Sequence, residues 1–279
     1  MSILNGLEQL GLGKLENVNV YESEEEKKAE AEKKEEKKEF AEESVLLDKS
    51  MKCPVCDQDF KTKTVRSGRS KMTSQDTDLR PKYQPLDVLK YDAVVCPFCG
   101  YAALNRFFKF VMPAQQKMIQ DNISANFTGI DTTAAFYTYD EAITRHQLAL
   151  ANTIVKKAKA SEKAYTCLKL AWLCRGKAES LDQSAADYAS QKEELQKEEN
   201  ELLANAYDGF VNAYSNEDFP MCGMDELTVT YLLAELARRT GKLEEASRYV
   251  SKVLTSRQAS ERIKERARDV KDLINEAKA

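Results

Sequence analysis

Apolar positions are distributed unevenly along this chain, and successive stretches obey different periodicities. In residues 1–20, Ile3, Leu4, Leu7 and Leu10 fall at helical spacing before Gly11 and Gly13 interrupt it, and Leu15, Val18 and Val20 follow. That patch is too short to fold alone, because a helix of this size does not repay its nucleation cost in water. Residues 22–39 are almost entirely Glu, Lys and Ala, with pairs such as Glu24/Lys28 and Glu30/Lys34 four apart. Each pair supports an exposed helix by a few tenths of a kcal/mol, but no apolar stripe exists to pack on a core. The stretch reads as a solvated helix or disordered spacer of up to about 27 Å, from roughly 1.5 Å per residue.

From residue 51 to 112 the pattern changes. β-Branched and aromatic residues cluster in Phe60-Lys61-Thr62-Lys63-Thr64-Val65 and from Tyr91 to Val95, which predicts short strands. A hairpin is expected after the first of two cysteine pairs and a strand leading into the second. Beyond Pro113 the spacing is helical almost throughout, as in Ala164, Leu168, Ala171 and Ala178, and again in Ile263, Ala267, Val270, Leu273 and Ile274. Residues 231–246 predict a helix, a turn at Gly241 and a second helix carrying Ala246, Val250 and Val253, after the tetratricopeptide pattern. The tryptophan, central glycine and closing proline of that pattern are missing. Asp140-Glu141-Ala142-Ile143 with Ala149, and Trp172 near Gly176, resemble weaker pieces of such units at irregular spacing.

The expected organisation is a short apolar N-terminal segment (1–20), a Glu/Lys-rich spacer (21–44), a four-cysteine zinc ribbon (45–112) and a tetratricopeptide-like helical domain (113–279). The fold class is mainly α with a small β part. Composition agrees: 10 glycines and 6 prolines in 279 residues are few for a β-rich or doubly wound fold. A formal net charge of −4 and a pI near 5.5 exclude a surface that is basic all over and coats nucleic acid or anionic membrane. No run approaches the roughly 20 apolar residues of a membrane span, and MSILNGLEQL lacks a basic n-region before an apolar core. The protein is expected in the cytoplasm, where thiols stay reduced and paired cysteines serve as metal ligands or redox groups rather than disulfides.

The chemistry concentrates in Cys53-Pro54-Val55-Cys56 and Cys96-Pro97-Phe98-Cys99, separated by 39 residues. Two tight knuckles delivering four thiolates are the usual ligand set of a closed tetrahedral zinc site, which contributes folding energy and leaves no position open for chemistry. Pro54 and Pro97 restrict φ, and Gly100 tolerates positive φ. Zinc is favoured over iron, since rubredoxin-like iron domains are small and stand alone, and over a dithiol redox pair, since no thioredoxin-like βαβ pattern surrounds either knuckle.

Residues 51–117 contain twelve Lys or Arg (Lys52, Lys61, Lys63, Arg66, Arg69, Lys71, Arg80, Lys82, Lys90, Arg106, Lys109 and Lys117) and six Asp, a formal balance of +6. A zinc ion with four thiolates subtracts two charges and leaves about +4, a mild patch for phosphate contact. Cys167 and Cys174 share a helical face beside Leu168 and Trp172 and read as core residues, while Cys222 in a Pro-Met-Cys-Gly loop is the candidate for a free reactive thiol. His146 is the single histidine. No Ser-His-Asp or Cys-His pairing can be proposed without it, and no P-loop, H-E-x-x-H or G-x-G-x-x-G occurs.

At Met51-Lys52-Cys53-Pro54-Val55-Cys56, at Lys82-Tyr83-Gln84-Pro85-Leu86 and from Tyr91 to Ala102, the chain resembles a bacterial family known as domain of unknown function 2225. The resemblance runs from about Met51 to the C-terminus. It implies a cytosolic protein of clostridial or related Gram-positive origin with a zinc ribbon and a tetratricopeptide-like tail, and it implies no particular activity. The expected function is a non-enzymatic zinc-binding adaptor: Cys53, Cys56, Cys96 and Cys99 hold one structural zinc ion, and the helices bind a protein partner. A ribbon that binds nucleic acid and an enzyme of unfamiliar type are the alternatives.

Overall fold

The computed structural model describes residues 41–278. The expectations for residues 1–20 and for most of the 21–44 spacer lie outside the described residues. The end of that charged stretch is anchored: Glu42, in a single helical turn (Glu42–Val45), takes Lys90 Nζ at 2.6 Å and the Tyr91 hydroxyl.

Six short strands form three antiparallel pairs: β1 (Leu46–Lys52) with β2 (Asp59–Val65), β3 (Lys71–Gln75) with β4 (Pro81–Gln84), and β5 (Ala93–Val95) with β6 (Ala102–Leu104). In the first pair the register runs from Leu46 opposite Val65 to Lys52 opposite Asp59, so residues 53–58 are the hairpin turn. The hairpin expected after the first knuckle is therefore built around it, with a strand on each side. The second knuckle is likewise the turn between β5 and β6. Strand propensity at Phe60 to Val65 pointed to β2, whereas the run Asp48-Lys49-Ser50, polar and exposed on both faces of β1, hid its strand character.

Seven α-helices follow among the described residues: α1 (Pro113–Ile119, extended by a π-turn at Gln120–Ser124), α2 (Tyr139–Val155), α3 (Ala160–Glu179), α4 (Tyr188–Asn216), α5 (Glu226–Arg239), α6 (Leu243–Thr255) and α7 (Glu261–Lys278). Capping residues set their starts: Thr138 and Glu141 form a reciprocal capping box on α2, and the Asp225 carboxylate accepts from Thr228 N at 2.7 Å on α5. The predicted pair at Gly241 forms as α5 and α6. Gly241 sits at φ +77° and Lys242 N returns to Ala237 O at 2.8 Å, closing the first helix. Ala246, Val250 and Val253 face a large core that also takes Trp172, Tyr207, Phe210 and Leu233. Two helices depart from an array of equal pairs: α4 runs for 29 residues, and Ala149 of α2 packs on Ala93, Val95 and Ala102 of the strands. No described helix is long and apolar enough to cross a membrane.

The β3–β4 hairpin carries an unusual tip. Asp78 is fully buried, accepting from Trp172 Nε1 at 3.1 Å and from Arg175 Nη2 at 2.5 Å. Arg175 also reaches Asp76 (3.0 Å) and Glu199 (2.8 Å). Arg80 grips Glu179 through both terminal nitrogens at 3.0 and 2.9 Å. Thr77 donates to the buried Glu235 at 2.6 Å, and Glu235 in turn holds Arg238 and Arg239 on α5. Four residues of the hairpin tip, Asp76, Thr77, Asp78 and Arg80, are thus pinned to α3, α4 and α5 by charge-assisted hydrogen bonds.

Burial opposes the charge on Asp78, but the hydrogen bond and charge of Arg175, with Arg239 beyond, outweigh it and hold the carboxyl below the usual range. Its contribution to stability is present above the unfolded-state value of about 3.9 and is lost as pH falls below that toward the folded-state value. Asp78→Ala, which strands Arg175 and Trp172 Nε1, is expected to cost about 3–5 kcal/mol in urea unfolding at pH 7. The gap between wild type and variant should close as the pH is taken below about 4. A pH-independent gap, or a loss under about 1 kcal/mol, would contradict the role assigned to Asp78.

Candidate metal centre

The two knuckles share one backbone solution. In the first, Asp57 N donates to Cys53 O and Cys53 N to Gln58 O, both at 3.0 Å; in the second, Gly100 N donates to Cys96 O at 3.1 Å and Cys96 N to Tyr101 O at 2.8 Å. The residue one past each second cysteine takes positive φ, +59° at Asp57 and +71° at Gly100. This reversal turns both cysteines of a pair toward the same side. Asp tolerates the conformation better than most residues with a Cβ, and Gly without cost.

The four predicted ligands are brought together: the sulfurs of Cys53, Cys56, Cys96 and Cys99 all lie within 4.8 Å of one another. The cross-knuckle distances are 3.6 Å for Cys53–Cys99 and 3.6 Å for Cys56–Cys96. A tetrahedral ion with metal–sulfur bonds of about 2.3 Å requires sulfurs about 3.8 Å apart, so the set fits a four-coordinate metal closely. Cys53, Cys96 and Cys99 are buried and Cys56 is partly so, against a core of Met51, Val55, Phe60, Val94, Tyr101 and Phe108.

Four thiolates at this spacing repel one another unless a counter-charge lies between them. Hydrogen bonds from Cys53 and Cys99 pull the Cys96 thiol down to about 2, while the hydrogen bond to Cys96 and burial push Cys53 up to about 12, and Cys99 is raised by the same neighbours. Left to themselves, the sulfurs stabilise one thiolate and resist a second beside it. A metal cation at their centre removes that repulsion and lets all four ionise.

The centre is held from outside by three side-chain amides and a hydroxyl that are not among the candidate site residues predicted above. Gln116 Nε2 donates to Pro54 O at 2.9 Å and Gln120 Nε2 to Val55 O at 2.9 Å, both from α1 and its extension onto the first knuckle. Ser124 Oγ donates to Cys99 O at 2.8 Å, and Asn152 Nδ2 of α2 to Gly100 O at 3.1 Å, securing the second. In an α-helix every fourth residue drifts about 40° around the axis. The π-turn, closed by Ala125 N on Gln120 O, reduces that drift, so that one run of helix reaches both knuckles. The four-residue spacing of Gln116, Gln120 and Ser124 was the one signal available in advance. Nothing local marks Asn152. These contacts, with Ile119 and Val155 in the same core as the sulfurs, run across residues 112 and 113.

The other sulfurs and the imidazole lie elsewhere. Burial pushes Cys167 up to about 11 and Cys174 up to about 12. Cys222, the candidate reactive thiol, is not one in this structure: at φ +51° it donates from Sγ to Ser161 O at 3.3 Å, and burial raises it to about 12, so at neutral pH it is protonated. His146 is fully buried; its Nδ1 donates to Ala142 O at 2.7 Å, and burial lowers it to about 4, leaving it neutral.

Gly100 is the tightest point of the site. A Cβ there would stand 2.6 Å from Phe127 Cγ and 3.1 Å from Ile123 Cγ2, at a φ unfavourable for any L side chain. Gly100→Ala is expected to destabilise the protein by about 2–4 kcal/mol and to weaken metal retention against a chelator. Gly68→Ala, also at positive φ but with nothing within 4 Å of a new Cβ, should cost about 1 kcal/mol by thermal unfolding and leave metal retention unchanged.

Comparison with curated proteins and with solved structures finds no match. A family profile described as "Uncharacterized protein conserved in bacteria (DUF2225)" matches residues 46–274, from the first residue of β1 into α7 and through both knuckles. The chain belongs to this bacterial family, and the four-sulfur centre lies within the matched region.

Proposed function

We propose that Cys53, Cys56, Cys96 and Cys99 bind one structural zinc ion and that the protein is a non-enzymatic adaptor of the cytoplasm, its helices presenting a surface to a protein partner. The observation that carries this reading is the closed, largely buried set of four sulfurs at tetrahedral spacing. Four thiolates complete the coordination of zinc and leave no position for water or substrate, which is the signature of a structural site. Around it, backbone carbonyls of both knuckles are already satisfied by glutamine, serine and asparagine side chains. Such an arrangement supports a rigid support for the strands rather than a reaction centre.

Charge placement favours a protein partner over nucleic acid. Of the twelve basic residues in 51–117, Lys52, Lys63, Arg80, Lys82, Lys90 and Lys117 are engaged with carboxylates of the protein itself. Less positive charge is then left for phosphates than the formal balance suggests. Phe98 in the second knuckle, and Phe110 and Met112 ahead of α1, meanwhile expose apolar side chains at 59, 74 and 64%.

Purified protein should contain about one zinc per chain by mass spectrometry of the metal, and cobalt exchange should give the intense thiolate-to-metal absorption of a four-sulfur site. Cys96→Ser should lower both metal content and melting temperature. Folded, metal-free wild-type protein, or iron in place of zinc, would overturn the assignment. Affinity for mixed-sequence DNA or RNA is expected to be weaker than about 1 μM at physiological salt; tighter binding that falls steeply with salt would favour the nucleic-acid reading.

A further inference from the structure

Beside the polar anchor described above, the β3–β4 hairpin leans over α3, α5 and α7 and leaves a cleft of about 550 Å³. Small-molecule sites typically enclose about 300–1,000 Å³. The floor is formed by Leu168, Lys169, Trp172, Tyr231 and Leu232, all buried. One wall is apolar and aromatic, with Met72 and Tyr83 from the hairpin and Tyr165 from α3; the other is α7, with Arg262, Ile263 and Arg266.

Charge in the cleft runs against the chain as a whole. The protein has 46 acidic and 42 basic residues, yet three cations and no carboxylate line this space. Lys169 is partly compensated by Asp92 at 3.2 Å. Arg262 and Arg266 have no ion-pair or hydrogen-bond partner among the described residues, although the neighbouring arginines Arg238, Arg239 and Arg268 are all paired with glutamates. Arg266 is half-buried in that state. Keeping a guanidinium partly out of water without a counter-charge is costly, and a bound anion removes the cost. The two arginines are four apart on α7, hence on one face and one turn from each other, so they can bracket a single anionic group.

We propose that this cleft binds a small organic anion carrying a planar apolar portion: its phosphate, sulfonate or carboxylate meets Arg262 and Arg266, and its ring lies against Met72, Tyr83 and Tyr165 above Trp172. Because the anionic contacts sit at one point on one wall, a compact ligand fits better than an acidic peptide, whose charges are strung along its length. This site is independent of the zinc and adaptor reading, since none of its residues belongs to the four-cysteine centre.

Trp172 is the only tryptophan in the chain, so its emission reports directly from the floor. In the full-length protein as purified with its metal, titration with 8-anilinonaphthalene-1-sulfonate should quench that emission saturably at one equivalent. Arg262→Ala/Arg266→Ala should weaken binding at least about tenfold, the loss of a charge-assisted pair. Since neither arginine has an ion-pair or hydrogen-bond partner among the described residues, the double variant should keep the wild-type melting temperature and circular dichroism. Arg257→Ala, outside the cleft, should bind as wild type. The uncharged N-phenyl-1-naphthylamine should bind wild type and double variant alike. Equal sulfonate affinity in wild type and double variant, no saturable quenching, or an equal loss with Arg257→Ala would each overturn the proposal.

Discussion

Convergence of four sulfurs from two separate turns is the constraint on which the N-terminal part of the described fold depends. A two-stranded hairpin is marginal in water, and here there are three of them with no continuous sheet to join them. Two of the hairpins meet at their turns instead of along their edges. What makes the meeting possible is a repeated backbone reversal, with Asp57 and Gly100 at positive φ and a pair of backbone hydrogen bonds closing each knuckle. Tight turns leave carbonyls facing outward, and burying those carbonyls requires donors. Gln116, Gln120, Ser124 and Asn152 supply them, so the helices complete the centre as well as covering it.

The third hairpin is fastened by a different kind of force. Its tip sends Asp76, Thr77, Asp78 and Arg80 among three helices, where almost every charge finds a partner. A buried network of this sort adds little net stability over a well-packed apolar alternative, but removal of one partner is expensive and the geometry it accepts is narrow. Such an anchor suits an element whose position matters more than its burial. The hairpin stands where its outer residues, Met72 and Tyr83, form one wall of the cleft against α7.

The proposed roles separate accordingly. The sulfur centre organises strands and the first two helices, while recognition belongs to the surfaces that the helices and the anchored hairpin enclose. The cysteines outside the centre are protonated, and the single histidine is neutral and bonded within its own helix. Binding is the role proposed for these surfaces.

Much of this was legible in the residues. Two C-P-x-C knuckles marked the four sulfurs that come together, because the spacing of a knuckle is a local property of one turn. Helical periodicity determined α3 and α5 to α7, and Gly241 with its following Ala246, Val250 and Val253 determined the α5–α6 pair, since each helix buries one face at a regular interval. β1 was not legible, because only Leu46 and Met51 of its seven residues are buried and the four between them are exposed on both faces, so no alternation declares it. The partnership of Asp78 with Trp172 and Arg175, nearly a hundred residues away, and that of Asn152 with Gly100, lay beyond any local pattern. Local sequence dictates what a turn or a helix can be; which buried charge meets which counter-charge, and which arginines stay unpaired beside a cleft, is decided only when distant segments compete for the same desolvated space.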